Sequence, residues 1–138
     1  MGLPEKVLRP LPGGGELRGS VPRDELLGHY SGADALIFPT LCDGFGLVAN
    51  EAWSRGLPVI TTDRAGAADL LRPGQNGLSI PAGDASAIAG AIEWCLSHRP
   101  ELSAMRETAL ATAAAWQWSD FRRSHAASLR AAGFFAGP

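Results

Sequence analysis

The segment LCDGFGLVANEAWSRGLPVI, residues 41–60, carries the strongest indication of the fold. An acid, Asp43, precedes two glycines, and a helix-forming run begins directly after them. A second acid, Glu51, falls inside that run, and Gly56 follows it. Because glycine is favoured just after the C-terminus of a helix, the pattern predicts a helix over about residues 46–55.

Apolar runs flank this segment on both sides. Residues 33–39 (ADALIFP) and 57–62 (LPVITT) are nearly continuous apolar stretches, which is typical of parallel strands covered on both faces. A turn at 73–77 and a short strand at 78–81 follow. Strands that alternate with helices predict an α/β fold, a Rossmann-like parallel sheet with flanking helices.

The remaining elements are predicted from capping residues and periodicity. A weakly marked strand is placed at residues 16–20, and Trp116, Trp118 and Phe121 are expected to pack the last helix onto the domain. Further helices are predicted at about 22–30 (ended by Gly32), 66–71, 85–97 (capped by Asp84), 100–115 and 119–130.

Composition excludes several classes of function. The net charge of the 138 residues is −2, with one lysine among 12 basic residues, so no nucleic-acid partner is expected. Cys42 and Cys95 form no CxxC pair and the three histidines are dispersed, which argues against a metal site and favours a reducing, cytoplasmic compartment. No apolar stretch approaches the ~20 residues of a membrane span, and no signal peptide is apparent.

The glycine-rich loop is the candidate binding site. Ligands of open α/β sheets bind beyond the carboxyl ends of the strands, where residues 40–46 are predicted to lie. Gly44 and Gly46 permit sharp turns and close backbone approach, and the helix start offers N–H groups to a phosphate. Asp43 and Glu51 would repel phosphate but accept hydrogen bonds from sugar hydroxyls. With Glu51 roughly 7 Å along the helix, this arrangement matches a nucleoside diphosphate sugar.

A purely structural explanation uses the same residues. Asp43 and Gly44 would form a turn, Asp43 would cap the helix, and Glu51 would face solvent. For either acid alone this explanation is the better one, because short motifs often match by chance. The complete segment between two apolar strands favours the sugar-nucleotide interpretation.

The stretch PTLCDGFGLVANEAWSRGLPVITT resembles the donor-binding segment of the group 1 (family 4) retaining glycosyltransferases, which have the GT-B fold. That family carries E-x(7)-E within P-S-x-x-E-G-F-G-L-x-x-x-E-A-x-x-x-G-x-P-V-I. Residues 19–40 and 74–92 resemble its flanking segments, so the dense resemblance covers about residues 16–96. The matching positions are Pro39, Asp43, Gly44, Phe45, Gly46, Leu47, Glu51, Ala52, Gly56, Pro58, Val59 and Ile60.

The resemblance implies a role for each matching site residue. Glu51 would bind the ribose hydroxyls, and Asp43, which is Glu in most of the family, would face the donor sugar near the reacting carbon. The backbone of Val21 would hold the base. Backbone contacts to sugar and diphosphate would come from Gly44, Phe45, Gly46 and Leu47.

The resemblance also implies a reaction. The family transfers a sugar to an acceptor hydroxyl with retention of configuration, by a front-face displacement in which the leaving phosphate assists the acceptor. It normally needs no divalent metal, so no cofactor is expected beyond the nucleoside diphosphate sugar. Donor sugar, base and acceptor are not specified by these residues.

The chain is shorter than a complete member of the family. Residues 1–15 are expected to be a loop or truncated start, and residues 16–138 a donor-binding domain that lacks its first strands and the acceptor domain. The Arg and Lys that neutralise the diphosphate have no counterpart, and Lys6, Arg9, Arg18 and Arg23 are expected to be solvated surface residues.

Loss of the central strands would leave the strand at 36–38 as an apolar edge. That edge would be open to a complementing chain or to a second copy of this chain. Alternatively, the first strand of the chain would pair beside 36–38 instead.

Three functions therefore remain open. The first, which the residues favour, is the donor-binding portion of a retaining glycosyltransferase, inactive as an isolated chain. The second is a non-catalytic relative that binds a nucleotide sugar or a protein. The third is another GT-B enzyme such as an epimerase, against which the spacing of the two acids argues.

Overall fold

The structure is a computed structural model that describes Gly15 and residues 18–134. None of the helices in this part of the chain has the length and apolar character needed to cross a membrane. The elements in chain order are α1 (Arg23–Gly32), β1 (Leu36–Phe38), α2 (Leu47–Trp53), β2 (Val59–Thr62), a 3-10 helix (Gly66–Asp69), β3 (Gly77–Ile80), α3 (Ala85–Ser97), α4 (Arg99–Ala115) and α5 (Trp118–Ala131).

The three strands form one parallel sheet in the order β1-β2-β3. Leu36 pairs with Val59, and Val59 pairs in turn with Gly77. Helices separate the strands along the chain, so the predicted Rossmann-like arrangement is confirmed. The weak strand predicted at 16–20 is wrong for residues 18–20, which have no regular structure, while 16–17 lie outside the described residues.

Strand β2 is the centre of the molecule. All four of its residues are buried, and Val59 and Ile60 point to opposite faces because side chains alternate along a strand. Val59 belongs to a core with Trp53 on α2 and Ala109 on α4. Ile60 belongs to a second core, which includes Ile80, Ala91, Cys95, Leu102 and Met105.

Strand β1 is covered less completely than its apolar sequence predicts. It forms one edge of the three-stranded sheet, with β2 as its neighbour, and Ile37 remains 38% exposed. The expectation of burial on both faces is therefore wrong for β1. The expectation of an apolar edge strand is confirmed for the sheet that the described residues form.

The ends of the helices follow the predicted capping residues. The N–H groups of Gly56 and Leu57 donate to Trp53 and Ala52, which closes the C-terminus of α2 as a Schellman turn. At α3, Asp84 Oδ1 accepts from the N–H groups of Ser86 and Ala87 at 2.9 and 3.0 Å. Both predicted caps are confirmed.

Candidate binding site at the carboxyl edge of the sheet

Two buried threonines on β2 fix the start of the loop between β1 and α2. The Thr61 hydroxyl donates to the Phe38 carbonyl at 3.0 Å, and the Thr62 hydroxyl donates to the Thr40 carbonyl at 2.7 Å. These bonds tie the carboxyl ends of the two strands together. The loop therefore leaves the sheet in a defined direction.

Asp43 is built into this loop by both its backbone and its side chain. Its N–H donates to the Arg64 carbonyl at 3.3 Å and its carbonyl accepts from the Gly66 N–H at 3.1 Å. Its Oδ1 accepts from the Phe45 N–H at 3.1 Å, which is an Asx turn. The structural explanation is thus correct for the turn and wrong for the cap, because no side chain caps α2.

Two glycines allow the loop to pack this closely. Gly46, the residue before α2, has φ 75°, and a Cβ there would lie 3.2 Å from Ala67 and 3.3 Å from Phe38. A Cβ on Gly66 would lie only 2.2 Å from the Gly44 carbonyl oxygen, so no other residue fits at position 66. Gly44 itself does not have a left-handed φ. The predicted need for a sharp turn is confirmed at Gly46 and not at Gly44.

Glu51 lies on α2 beside α1 rather than facing solvent. Its side chain is 21% exposed, and its Oε1 is 3.0 Å from Nη2 of Arg23. Tyr30, also on α1, is buried nearby. Burial, and secondly the negative charge of Glu51, raise the pKa of the Tyr30 phenol above its ordinary value. Arg23 is exposed as predicted, at 76%, but its pairing with Glu51 was not predicted.

A cleft of about 470 Å³ separates the start of α2 from the start of α5. Phe45 and Phe121 both line it and contact each other in an edge-to-face arrangement, with ring centroids 6.4 Å apart. Asn50 lines the cleft, and its Oδ1 is buried without a hydrogen-bond partner among the described residues. The other lining residues are Leu47, Trp116, Gln117, Ser119 and Arg122.

Phe121 on α5 contacts Phe45, and Trp116, which precedes α5, lines the same cleft. None of the described side chains of α5 is buried, so the expected packing of the last helix onto the domain is limited to the contact at Phe121. The side chain of Trp118 lies outside the described part of the structure. The cleft is a feature that the sequence did not indicate, because its two walls are about 70 residues apart along the chain.

The predicted site residues lie in two groups, one in the loop and first turn of α2 and one formed by Glu51 and the start of α1. Asp43, Gly44, Phe45, Gly46 and Leu47 form the loop and the first turn of α2. Val21 is half-buried two residues before Arg23, and the pairing of Arg23 with Glu51 brings the start of α1 to the same side of α2 as Glu51. Phe45 and Leu47 line the cleft; Asp43, Glu51 and Val21 do not.

The described residues show no cluster of acids, histidines and cysteines that could hold a metal ion. Cys42 is exposed beside Asp43 and Cys95 is buried, and burial is the main cause that raises the pKa of the Cys95 thiol. A buried thiol with a raised pKa is a core residue rather than a nucleophile.

Residues 3–98 match the family model described as "Glycosyl transferases group 1". The chain is 35% identical over 99 residues to a D-inositol 3-phosphate glycosyltransferase of Corynebacterium urealyticum, covering 72% of this chain and 23% of that protein. It is 37% identical over 82 residues to the capsular polysaccharide biosynthesis glycosyltransferase CapM of Staphylococcus aureus, covering 59% of this chain and 20% of CapM. The chain thus spans about a quarter or less of the length of these relatives.

Solved structures of similar fold include two larger proteins. Sucrose-phosphate synthase of Thermosynechococcus elongatus matches with a TM-score of 0.71 and 28% identity, over 81% of this chain and 28% of that one. HepE of Anabaena, in complex with UDP-glucose, matches with a TM-score of 0.64 and 23% identity, over 75% of this chain and 29% of that one.

Proposed function

Because the chain belongs to the group 1 glycosyltransferases, we propose that it binds the nucleoside diphosphate sugar from which a sugar is transferred, with retention, to an acceptor hydroxyl. The observation that carries the proposal is the arrangement of Asp43, the glycine loop and Glu51 at the carboxyl edge of the parallel sheet. This edge is where open α/β sheets bind their ligands.

Each group has a place in the proposed complex. The carboxylate of Glu51 accepts hydrogen bonds from the ribose hydroxyls, and the backbone beside Val21 holds the base. Backbone N–H groups of Gly44, Gly46 and Leu47 face the diphosphate and sugar, while the N–H of Phe45 donates to Asp43. Asp43 Oδ1 is engaged by the Phe45 N–H, which leaves Oδ2 for a hydroxyl of the donor sugar.

The proposed reaction conserves the configuration at the anomeric carbon. The bond between that carbon and the diphosphate oxygen breaks on the same face on which the bond to the acceptor oxygen forms. The proton of the acceptor hydroxyl passes to the leaving diphosphate. The protein contributes by positioning and by stabilising the charge that develops on the diphosphate.

Glu51→Ala is the first test. Calorimetric titration with UDP, GDP and ADP is expected to show binding of one nucleotide by the wild-type chain, and UDP is the first candidate because the HepE structure holds UDP-glucose. Loss of two hydrogen bonds to a charged acceptor is expected to weaken that binding about tenfold or more. Glu107→Ala, an exposed glutamate on α4, is the matched control.

Binding that is unchanged in Glu51→Ala would contradict the proposal, and so would a folded wild-type chain that binds none of the three nucleotides. The second candidate function, a non-catalytic nucleotide-sugar-binding protein, is favoured by one observation. Asp43 is shorter by one methylene than the family's glutamate, and its carboxylate is held in the turn. Nucleotide binding without sugar transfer, in a protein that also contains an acceptor domain, would support this second candidate.

A further inference from the structure

The pairing of Arg23 with Glu51 joins two helices at the proposed donor site. Arg23 is in the first turn of α1, and its Nη2 lies 3.0 Å from Glu51 Oε1 on α2. The Glu51 side chain is mostly buried while the Arg23 side chain is mostly exposed. Buried Tyr30 is seven residues after Arg23 on α1, and besides its burial the charge of Glu51 is close enough to raise the pKa of its phenol.

The pairing with Arg23 uses only part of the hydrogen-bonding capacity of the Glu51 carboxylate. An ionised carboxylate offers about four acceptor positions on its two oxygens. Arg23 uses one of them, on Oε1, and no other side chain in the described ranges donates to the Glu51 carboxylate; the Ser54 hydroxyl donates to the Glu51 backbone carbonyl instead. Two ribose hydroxyls could therefore bind while Arg23 stays in place. Arg23 orients the Glu51 carboxylate without blocking it.

The charge of Arg23 also matters for an anionic ligand. A nucleoside diphosphate carries negative charge close to its ribose, and an uncompensated carboxylate there would repel it. Among the ion pairs between described residues, only the pair of Arg23 with Glu51 includes a residue of segment 41–60. Arg23 therefore offsets the charge that the proposed site itself introduces.

We propose that Arg23 is a positioning residue for the donor nucleotide: it directs the Glu51 carboxylate toward the ribose hydroxyls and compensates its charge. This inference rests on the proposed function, because it assigns the ribose to Glu51. It assigns a role to Arg23, which is exposed as expected.

The test is calorimetric titration of the full chain with UDP and with 2′-deoxy-UDP. Arg23→Ala is expected to weaken UDP binding about fivefold, the range of a partly exposed ion pair. The loss of affinity is expected to be smaller for 2′-deoxy-UDP, which lacks one of the two hydroxyls that would donate hydrogen bonds to the oriented carboxylate. Arg23→Lys keeps the charge and one donor, so it is expected to restore part of the affinity.

The matched control is Arg99→Ala, which removes a similarly exposed arginine from its 3.1 Å pair with Asp34. UDP affinity that is unchanged in Arg23→Ala, or that rises because Arg23 competes with ribose, would overturn the inference. Equal losses for the two nucleotides would also overturn it, because they would reflect charge alone. If Glu51→Gln still weakens UDP binding in any of these cases, the proposed function stands while the role of Arg23 fails.

Discussion

At the scale of single residues, the two acids of the site differ in what holds them. Asp43 is fixed by a local Asx turn to Phe45, two residues away. Glu51 is fixed by Arg23, 28 positions earlier in the chain, on another helix. Local interactions are encoded in adjacent residues, so the turn at Asp43 could be predicted from sequence and the partner of Glu51 could not.

Asp43→Asn separates the structural role of this side chain from its proposed role in binding. Asparagine keeps the Oδ1 acceptor for the Phe45 N–H, so the melting temperature is expected to change little. Loss of the negative charge is expected to weaken UDP-glucose binding more than UDP binding, because Asp43 is assigned to the sugar. Calorimetry with both ligands measures the difference.

Asp43→Ala is the comparison variant, since it removes the turn as well and is expected to lower both affinities. Equal affinity of wild type and Asp43→Asn for UDP-glucose would show that the carboxylate does not contact the sugar.

At the scale of elements, caps decide where the helices begin and end. Asp84 accepts from the Ser86 hydroxyl and from the N–H groups of Ser86 and Ala87. The Ser86 side chain first, and the Ala87 N–H second, lower the pKa of the Asp84 carboxyl below its ordinary value of 3.8. Because the pKa is lowered in the folded state, the ionised cap stabilises the fold at pH values above 3.8.

Asp84→Ala is therefore expected to lower the melting temperature at neutral pH. The stabilising contribution is lost as the pH falls through the lowered pKa of Asp84, so the gap between wild type and variant is expected to narrow below pH 3.8. Thermal unfolding at pH 7 and at about pH 3 measures this gap. A gap that is constant across this range would contradict a charge-dependent cap; Asp84→Asn, which keeps an acceptor without the charge, is the matched control.

At the scale of the whole molecule, buried Asn76 connects the elements around the central strand. Its Oδ1 accepts from the Arg72 N–H at 2.7 Å, and its Nδ2 donates to the Leu70 carbonyl and to Thr112 on α4. Its backbone carbonyl accepts from the indole N–H of buried Trp53 at 2.9 Å. One residue before β3 thus joins α2, α4 and the turn between β2 and β3.

Asn76→Ala is expected to lower the free energy of unfolding by about 3 kcal/mol, because three hydrogen bonds are lost and buried partners remain unpaired. Urea denaturation measures this change, with the exposed neighbour Gln75→Ala as control. Thr112→Val removes one of these partners and is expected to cost about 1 kcal/mol. A loss of less than that in Asn76→Ala would mean that the network contributes little to stability.

Local sequence patterns were enough to predict the order and type of the elements. Apolar runs, glycines and caps depend on neighbouring residues, so the helices, the three parallel strands and the loop at Asp43 were all predictable from local patterns. Segment 41–60 also carried the family resemblance, which the family-model match over residues 3–98 confirms.

Contacts between distant side chains, in contrast, are seen only in the folded chain. The pairing of Arg23 with Glu51, the approach of Gly66 to Gly44, and the cleft between Phe45 and Phe121 each join separate elements. Such contacts depend on how helices and loops are placed against the sheet, and that placement is set by burial of two cores on opposite faces of β2. Patterns of neighbouring residues do not predict that placement, because they do not specify which distant segments of the chain come into contact.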